Sequence, residues 1–564
     1  MRLGLGISGL VLLGIAVFSS ADGLTAQQAA LPGGASETGF HLFLISLAVL
    51  GLYFIGLARF TAPEAQRDHL LHFDDAPPLA GKLLLGILLL GLALRSYSLD
   101  TGIWFDEMLM HVGYMSLEPL EILTTYNDAN NHILYTFLAR LSIEAFGDTV
   151  WAIRVPAVAF GLGSIAAIYA FSRRIMSWRE ALMAAFLLTV SFHHIWFSQN
   201  ARGYTALLFF SLVSSMYLID AIRTGGKGRW LAYAVSAALG AFTHLTIGFL
   251  FIGHFLYFLF RAATSTRRDE SKATGFWAGM GYGFVPLGLL TIAAYAIVLP
   301  DILGGALLST GLQDDSEWTN PIWAIRELVT SLQIGFSGSG VLLVGGFVVL
   351  VGIASFLRRD SAAVAFLVIP CGLAVLLMTS IGYTLFPRFF FFAMGFGVVI
   401  VIHGATVLGQ VAARVLDLEP RKAALVALLP SLLLVAGSVL SLQHVYFPKQ
   451  SYAQSIAYLE ERLQPADTVA VIGVAELPYL TYYGKDWSHV GSAEEIEALL
   501  QRAPGRVWAI YTLPVQLHSA HPDIVALLES RFTTEMVFYS SLGGGEIVLS
   551  LSTDTPSADD RGLE

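Results

Sequence analysis

RSYSLDTGIWFDEMLMHVGYMSLEPLEILTTYNDANNH, running from Arg95 to His132, is the stretch on which the reading of this chain turns. It follows an apolar run that ends near Leu94 and sets two adjacent carboxylates, Asp106 and Glu107, behind the aromatic pair Trp104 and Phe105. Tryptophan just past an apolar span marks a membrane surface. An acid held there in a crowded, aromatic-rich loop is desolvated and can be tuned for proton transfer, which bulk water would not allow. The loop is therefore the candidate active site. The plainer alternative is an acidic pair that solvates the loop or caps the segment after it. MLMHVGYM, which comes next, is short, apolar and suited to lying in the interface, and argues against ordinary surface charge.

Composition places that loop in a membrane protein. The chain of 564 residues is 55% hydrophobic and 13% charged, whereas soluble domains carry about a quarter charged residues. Its formal charge of -10 argues against nucleic acid as a partner, because phosphate backbones need a basic surface. The single cysteine, Cys371, rules out an intramolecular disulfide. Apolar runs predict about thirteen spans of near bilayer length. They cover residues 3–19, 40–58, 83–99, 150–172, 180–197, 203–221, 230–246, 247–262, 275–299, 336–357, 362–382, 389–410 and 423–443. The first could instead be a signal peptide, but it is long for one and reads better as a span.

Basic residues orient the array. Arg59, Arg67 and Lys82, then Arg173, Arg174 and Arg179, then Arg223, Lys227 and Arg229 fall on alternate loops, as do Arg261, Arg267, Arg268, Lys272, Arg358, Arg359, Arg414, Arg421 and Lys422. That side is read as cytoplasmic, along with the N-terminus, in a multi-pass protein of the inner (plasma) membrane. The Asp106 loop, a second loop from Pro300 to Thr330 and everything after Leu442 then face the external, periplasmic side. Beyond His444 strands and helices alternate, with DTVAVIGV, RVWAIYTL, MVFYSS and GEIVLSLS reading as strands. This predicts three parts: residues 1–82, two spans and a cytoplasmic loop; 83–443, the catalytic membrane domain; and 444–564, an external soluble α/β domain with a disordered tail. VIGVAELPYL lacks the later glycines of a dinucleotide fingerprint, so no such cofactor is read there.

Three more clusters could carry chemistry. From Asn127 to His132 five of six residues are polar, including Asp128, Asn131 and His132. An N-cap explains one of them. SFHHIWFSQNARGYTALL supplies Arg202 and Tyr204, and GYTLFPRFFFF supplies Arg388. Both arginines oppose the orientation trend, and a guanidinium at the edge of a span is commonly paired or functional. The plain alternative is snorkelling to headgroups. Two such cations facing an acidic loop suit capture of a lipid phosphate. His244 reads first as a satisfied interfacial histidine and second as a substrate contact. No zincin or EF-hand pattern is present. A hard cation on Asp106, Asp128 or Glu107 is conceivable, but a metal-free and cofactor-free site ranks first. The loop carrying Gln313, Asp314, Asp315, Glu317 and Trp318 is a candidate acceptor gate.

Taken in order, WFDE, an acid ahead of N-H-x-L-Y, WAIRVPA, SQNARGYT and PRF resemble the membrane glycosyltransferases of the GT-C fold. The branch of protein O-mannosyltransferases and lipid A aminoarabinose transferases is the most similar. The resemblance implies inverting transfer of a sugar from a polyprenyl-phosphate donor to an acceptor hydroxyl on the external face. It implies Asp106 as general base with Glu107 its catalytic neighbour, Arg202 and Arg388 on the donor phosphate, and His132 and Tyr204 lining the site. Relatives often have Glu where this chain has Asn200 and Pro where it has Ile133, which weakens any second carboxylate in that loop. A transporter or flippase of a lipid-linked anion is the alternative from another class, and a non-catalytic receptor or assembly protein is a third. Many spans and buried arginines would serve transport too, but transporters repeat their broken helices in matching halves.

Overall fold

A computed structural model describes residues 1–19, 36–60, 72–264, 275–306, 319–335, 339–541 and 544–553. The gate residues Gln313 to Trp318 and the tail after Thr553 lie outside them. Among the described residues nine helices are long and apolar enough to cross a membrane, and a bent pair makes a tenth. The chain is a polytopic α-helical membrane protein with a small C-terminal sheet domain. The remaining runs of the thirteen expected also fold as helices. Arg2–Phe18 and Lys227–Thr243 have 17 residues each, and Ser339–Arg359 is the third.

The bent pair is the run expected as one span over 180–197. Trp178–Thr189 and Phe192–Ser198 meet at 60°. A break leaves the last carbonyls of the first helix without helical partners. Buried Arg95 supplies them, donating to the carbonyls of Leu188 and Thr189 and to Ser198 Oγ. The second helix then delivers the segment Gln199–Arg202 to the site.

Most of the basic residues read as one-sided gather at one end of the helices. Arg173 pairs with Asp74, Arg174 with Asp220 and Arg223 with Asp360. Val150–Ser172, of 23 residues, separates this end from the Asp106 loop by about 35 Å.

The C-terminal domain is a five-stranded sheet of order β2-β1-β3-β5-β4. Its strands are β1 Thr468–Ile472, β2 Ser488–Val490, β3 Val507–Thr512, β4 Phe532–Phe538 and β5 Ile547–Ser552. β1 runs parallel to β2 and β3, while β5 is antiparallel to β3 and β4. Strand side chains alternate between faces, and each face has its own core. Ala470, Ile472, Val507 and Ala509 pack on the domain's helices. Val469, Val471, Trp508 and Ile510 pack on Met108, Met110, Tyr114 and Met115 of the Asp106 loop. This corrects the reading of MLMHVGYM as an interfacial segment. Its methionines are fully buried, because a sheet face rather than lipid covers them.

Candidate active site

Phe105–Met110 is one short helix, so Asp106 and Glu107, consecutive on it, point about 100° apart. That difference decides their roles. Glu107 closes a capping box with the Trp104 backbone N–H, which donates to Oε2 at 3.1 Å. Its carboxylate then takes two bonds from Arg154, at 2.8 and 2.7 Å, and one from the Ala201 amide. Lys449 Nζ stands 3.5 Å away. Burial alone would push this carboxyl up, but Arg154, Lys449 and the Ala201 amide together hold it down at about 2. Arg154 also donates to the carbonyls of Leu99, Thr101 and Gly102. The expectation of Glu107 as a catalytic neighbour is therefore replaced. It is a fully buried strut, its lone pairs spoken for, and no part of the cavity that Asp106 faces.

Asp106 opens onto a cavity of about 430 Å³, lined also by Trp104, His132, Arg202, His244 and Arg388. Its Oδ2 is buried without a hydrogen bond among the described residues and lies 3.6 Å from an Arg388 nitrogen. Arg388 sits on the 3-10 helix Pro387–Ala393, its guanidinium 4.0 Å over the Phe386 ring. Arg202 donates to Asn130 Oδ1 at 3.2 Å. Its Nε and Nη1, and Nε of Arg388, make no hydrogen bond among the described residues. Buried donors in that state are expensive unless something binds them. Two guanidinium groups with spare N–H donors thus share one cavity with one carboxylate.

His132 is held neutral. Burial and the nearby Arg202 push its imidazole well below the ordinary histidine range. The Gly203 amide donates to Nδ1 at 2.9 Å, which assigns the ring proton to Nε2. His244 packs against it, the ring centroids 4.4 Å apart and tilted by 50°. Tyr204 supports both rings at 5.4 and 5.5 Å and stands behind the cavity wall. Asp128 is also set back. It accepts from Tyr114 Oη and from the Asn130 amide, shaping the loop that offers Asn130 to Arg202. Asn131 reaches the cavity, although its side chain is occupied by Thr125 and Thr136. Among the described residues no three of His, Cys, Asp and Glu gather closely enough to hold a metal ion.

Sequence reasoning missed Lys449 and Gln450. Lys449 donates to the Gln199 carbonyl, and Gln450 Oε1 accepts from the Phe105 amide at 2.8 Å. Burial and Arg154 push the Lys449 amine down to about 7, with Glu107 opposing. A signal was available, since Lys449 is a further cation against the orientation trend, six residues past the 423–443 run.

Arg388 and Phe386 are shared with a second, mostly apolar cavity of about 550 Å³. Phe197, Trp323, Leu328, Leu367 and Cys371 line it.

Residues 130–301 match the family model of the dolichyl-phosphate-mannose-protein mannosyltransferases. That segment carries His132, Arg154, Arg202 and His244, while Asp106 and Arg388 flank it. No curated protein matches the sequence. Among solved structures the chain is similar to ArnT from Cupriavidus metallidurans in the apo state, at 12% identity and TM-score 0.49, covering 84% of this chain and 98% of that one. It is also similar to the archaeal oligosaccharyltransferase AglB from Archaeoglobus fulgidus, solved with an inhibitory peptide and a dolichol-phosphate. There the identity is 11%, the TM-score 0.49 and the coverage 84% and 74%. The arabinosyltransferase EmbB from Mycobacterium smegmatis follows, at 13% identity and TM-score 0.42, covering 79% of this chain and 47% of that one.

Proposed function

We propose that this protein is an integral membrane glycosyltransferase that moves a sugar from a polyprenyl-phosphate donor to an acceptor hydroxyl, with inversion, on the extracytoplasmic face. One observation carries the reading. A carboxylate and two arginines with spare donors face one cavity, and at Arg388 that cavity adjoins a second, more apolar one. A phosphate bearing an isoprenoid tail fits this pair, its charge against Arg202 and Arg388 and its chain along Leu328, Leu367 and Cys371. The match of residues 130–301 to a mannosyltransferase family supports the same reaction class.

In this mechanism Asp106 accepts the proton of the acceptor hydroxyl as its oxygen attacks the anomeric carbon. The bond from that carbon to the phosphate oxygen breaks on the opposite face, and its electron pair stays with the phosphate. Arg202 and Arg388 stabilise the charge that develops there. Neutral His132 packs against Arg202, whose Nη2 lies 3.4 Å from its Nε2, and helps to position that guanidinium. The pairing of Arg388 with Asp106 lowers neither role, since the donor phosphate competes for the same guanidinium and frees the carboxylate. The transport alternative calls for broken helices in matching halves. Among the described residues one bent pair is found.

The test incubates membranes containing the protein with labelled polyprenyl-phosphate sugars and compares the wild type with Asp106→Asn at equal expression. Release of free polyprenyl phosphate by the wild type alone supports both the reaction and the base. Equal release by both would remove Asp106 from the mechanism. Passage of intact donor across the bilayer without release would replace transfer by transport.

A further inference from the structure

The soluble domain contributes to the same cavity, through Val474, Leu513, Gln516, Gly544 and Gly545. Their positions in the sheet are particular. From β1 the chain moves to β2 on one side, then crosses to β3 on the other, so the strand order reverses between β1 and β3. At such a reversal the loops leaving the two carboxyl ends diverge and leave a crevice, the usual ligand position in open α/β sheets. Val474 follows β1 and Leu513 follows β3. Thr512 pairs with Ile547 at the start of β5, which brings Gly544 and Gly545 to the same end. Gly473, with φ +58°, makes the turn out of β1 in a backbone region that side chains disfavour. The reversal crevice therefore opens onto the same cavity as Asp106.

The two walls differ in charge. Asp106, Arg202 and Arg388 all belong to the membrane part, whereas the soluble domain's share has no charged side chain. Gln516 is half-buried and is the one polar side chain in that share of the lining. Resting on the transferase reading above, we propose that the crevice between β1 and β3 is the acceptor site and that it takes a neutral sugar ring, with Gln516 bonding its hydroxyls. An amide and backbone groups beside Tyr126 and Tyr295 suit such a ring, which offers hydroxyls at its rim and C–H faces between. An extended peptide fits less well. Peptides join sheets at an open edge, and here the edges are β2 and β4, whereas the cavity touches β1, β3 and β5 at their ends.

The test measures transfer from a labelled polyprenyl-phosphate sugar to two probes, a fluorescent short-chain alkyl glycoside and a threonine-containing peptide. The protein is full-length, in nanodiscs. The variants are Gln516→Ala and the bulkier Gln516→Trp, with binding of labelled polyprenyl phosphate as a second readout. The glycoside is glycosylated by the wild type. Gln516→Ala raises its KM about 10-fold while kcat stays within about twofold. Gln516→Trp blocks transfer to it, and both variants bind polyprenyl phosphate as the wild type does. Modification of the peptide but not the glycoside overturns the sugar assignment. An unchanged glycoside KM, or an equal loss of polyprenyl phosphate binding, overturns the crevice as acceptor site. If the wild type consumes no donor with either probe, the transferase reading itself falls, a result distinct from the other two.

Discussion

The two ends of the helix bundle handle charge differently. At one end three guanidinium groups each have a carboxylate of their own: Arg173 has Asp74, Arg174 has Asp220 and Arg223 has Asp360. At the other end Arg154 and Glu107 form the same kind of closed pair, but Arg202 and Arg388 face a single carboxylate, Asp106. A buried pair with matched charge ties elements together. An unmatched set has to be completed from outside, and that surplus of donors is what separates the site from the struts.

Substitutions can break this contrast, and the largest effect belongs to Asp106, the proposed base. Asp106→Asn lowers kcat by about 10²- to 10⁴-fold, the usual worth of a general base, while the melting temperature in detergent holds. Glu107→Gln, one residue along, does the reverse. It leaves Arg154 and Lys449 buried without their counter-charge, at a cost of about 3–5 kcal/mol. The measurement is thermal unfolding in detergent, and loss of turnover at full stability would return Glu107 to the chemistry. Arg388→Lys keeps the charge but loses the fork, and raises the donor KM by roughly 10- to 100-fold in the transfer assay. At the opposite end, Asp220→Asn leaves turnover within about twofold, because an isolated partner pair reports on stability and not on the reaction. A turnover loss comparable to that of Arg388→Lys would erase the contrast.

Stability also carries a pH dependence. Lys449 has its amine at about 7 in the folded protein, below its ordinary value near 10.4. Between these values the unfolded chain holds more protons, so stability rises as pH is raised across that window and the penalty is fully present below it. Unfolding curves from pH 7 to 10 show this rise in the wild type and a flatter profile in Lys449→Met.

Much of this could be read from the sequence, and the remainder has identifiable causes. Apolar run length revealed the helices, because a bilayer sets their length, and short runs alternating with helical segments revealed β1, β3 and β5 as strands. The three-residue β2 is too short to show a period. Trp104 and the cations Arg202 and Arg388 marked the site end through rules about where such residues sit in membranes. Asp106 and Glu107 were not separable, because nothing local says which of two neighbours faces position 154. Asp128 and Tyr204 were expected in the cavity and stand behind it, since an Asx turn and a ring stack absorb them. The soluble domain's share of the cavity, from Val474 to Gly545, depends on how a sheet docks more than 300 residues away in sequence, which no local pattern encodes.

The link between the last helix and the sheet domain bears on how the chain can be cut. Lys449 and Gln450 come from the sheet side of His444, yet their side chains bond Gln199 and Phe105 inside the membrane half. Gln450 Nε2 simultaneously donates to the Gly545 carbonyl. A chimera joined at His444 therefore replaces side chains that hold the host's Phe105–Met110 helix along with the soluble domain. Crossovers placed after Gln450 keep those contacts intact, and exchange of the soluble domain succeeds or fails on those six residues.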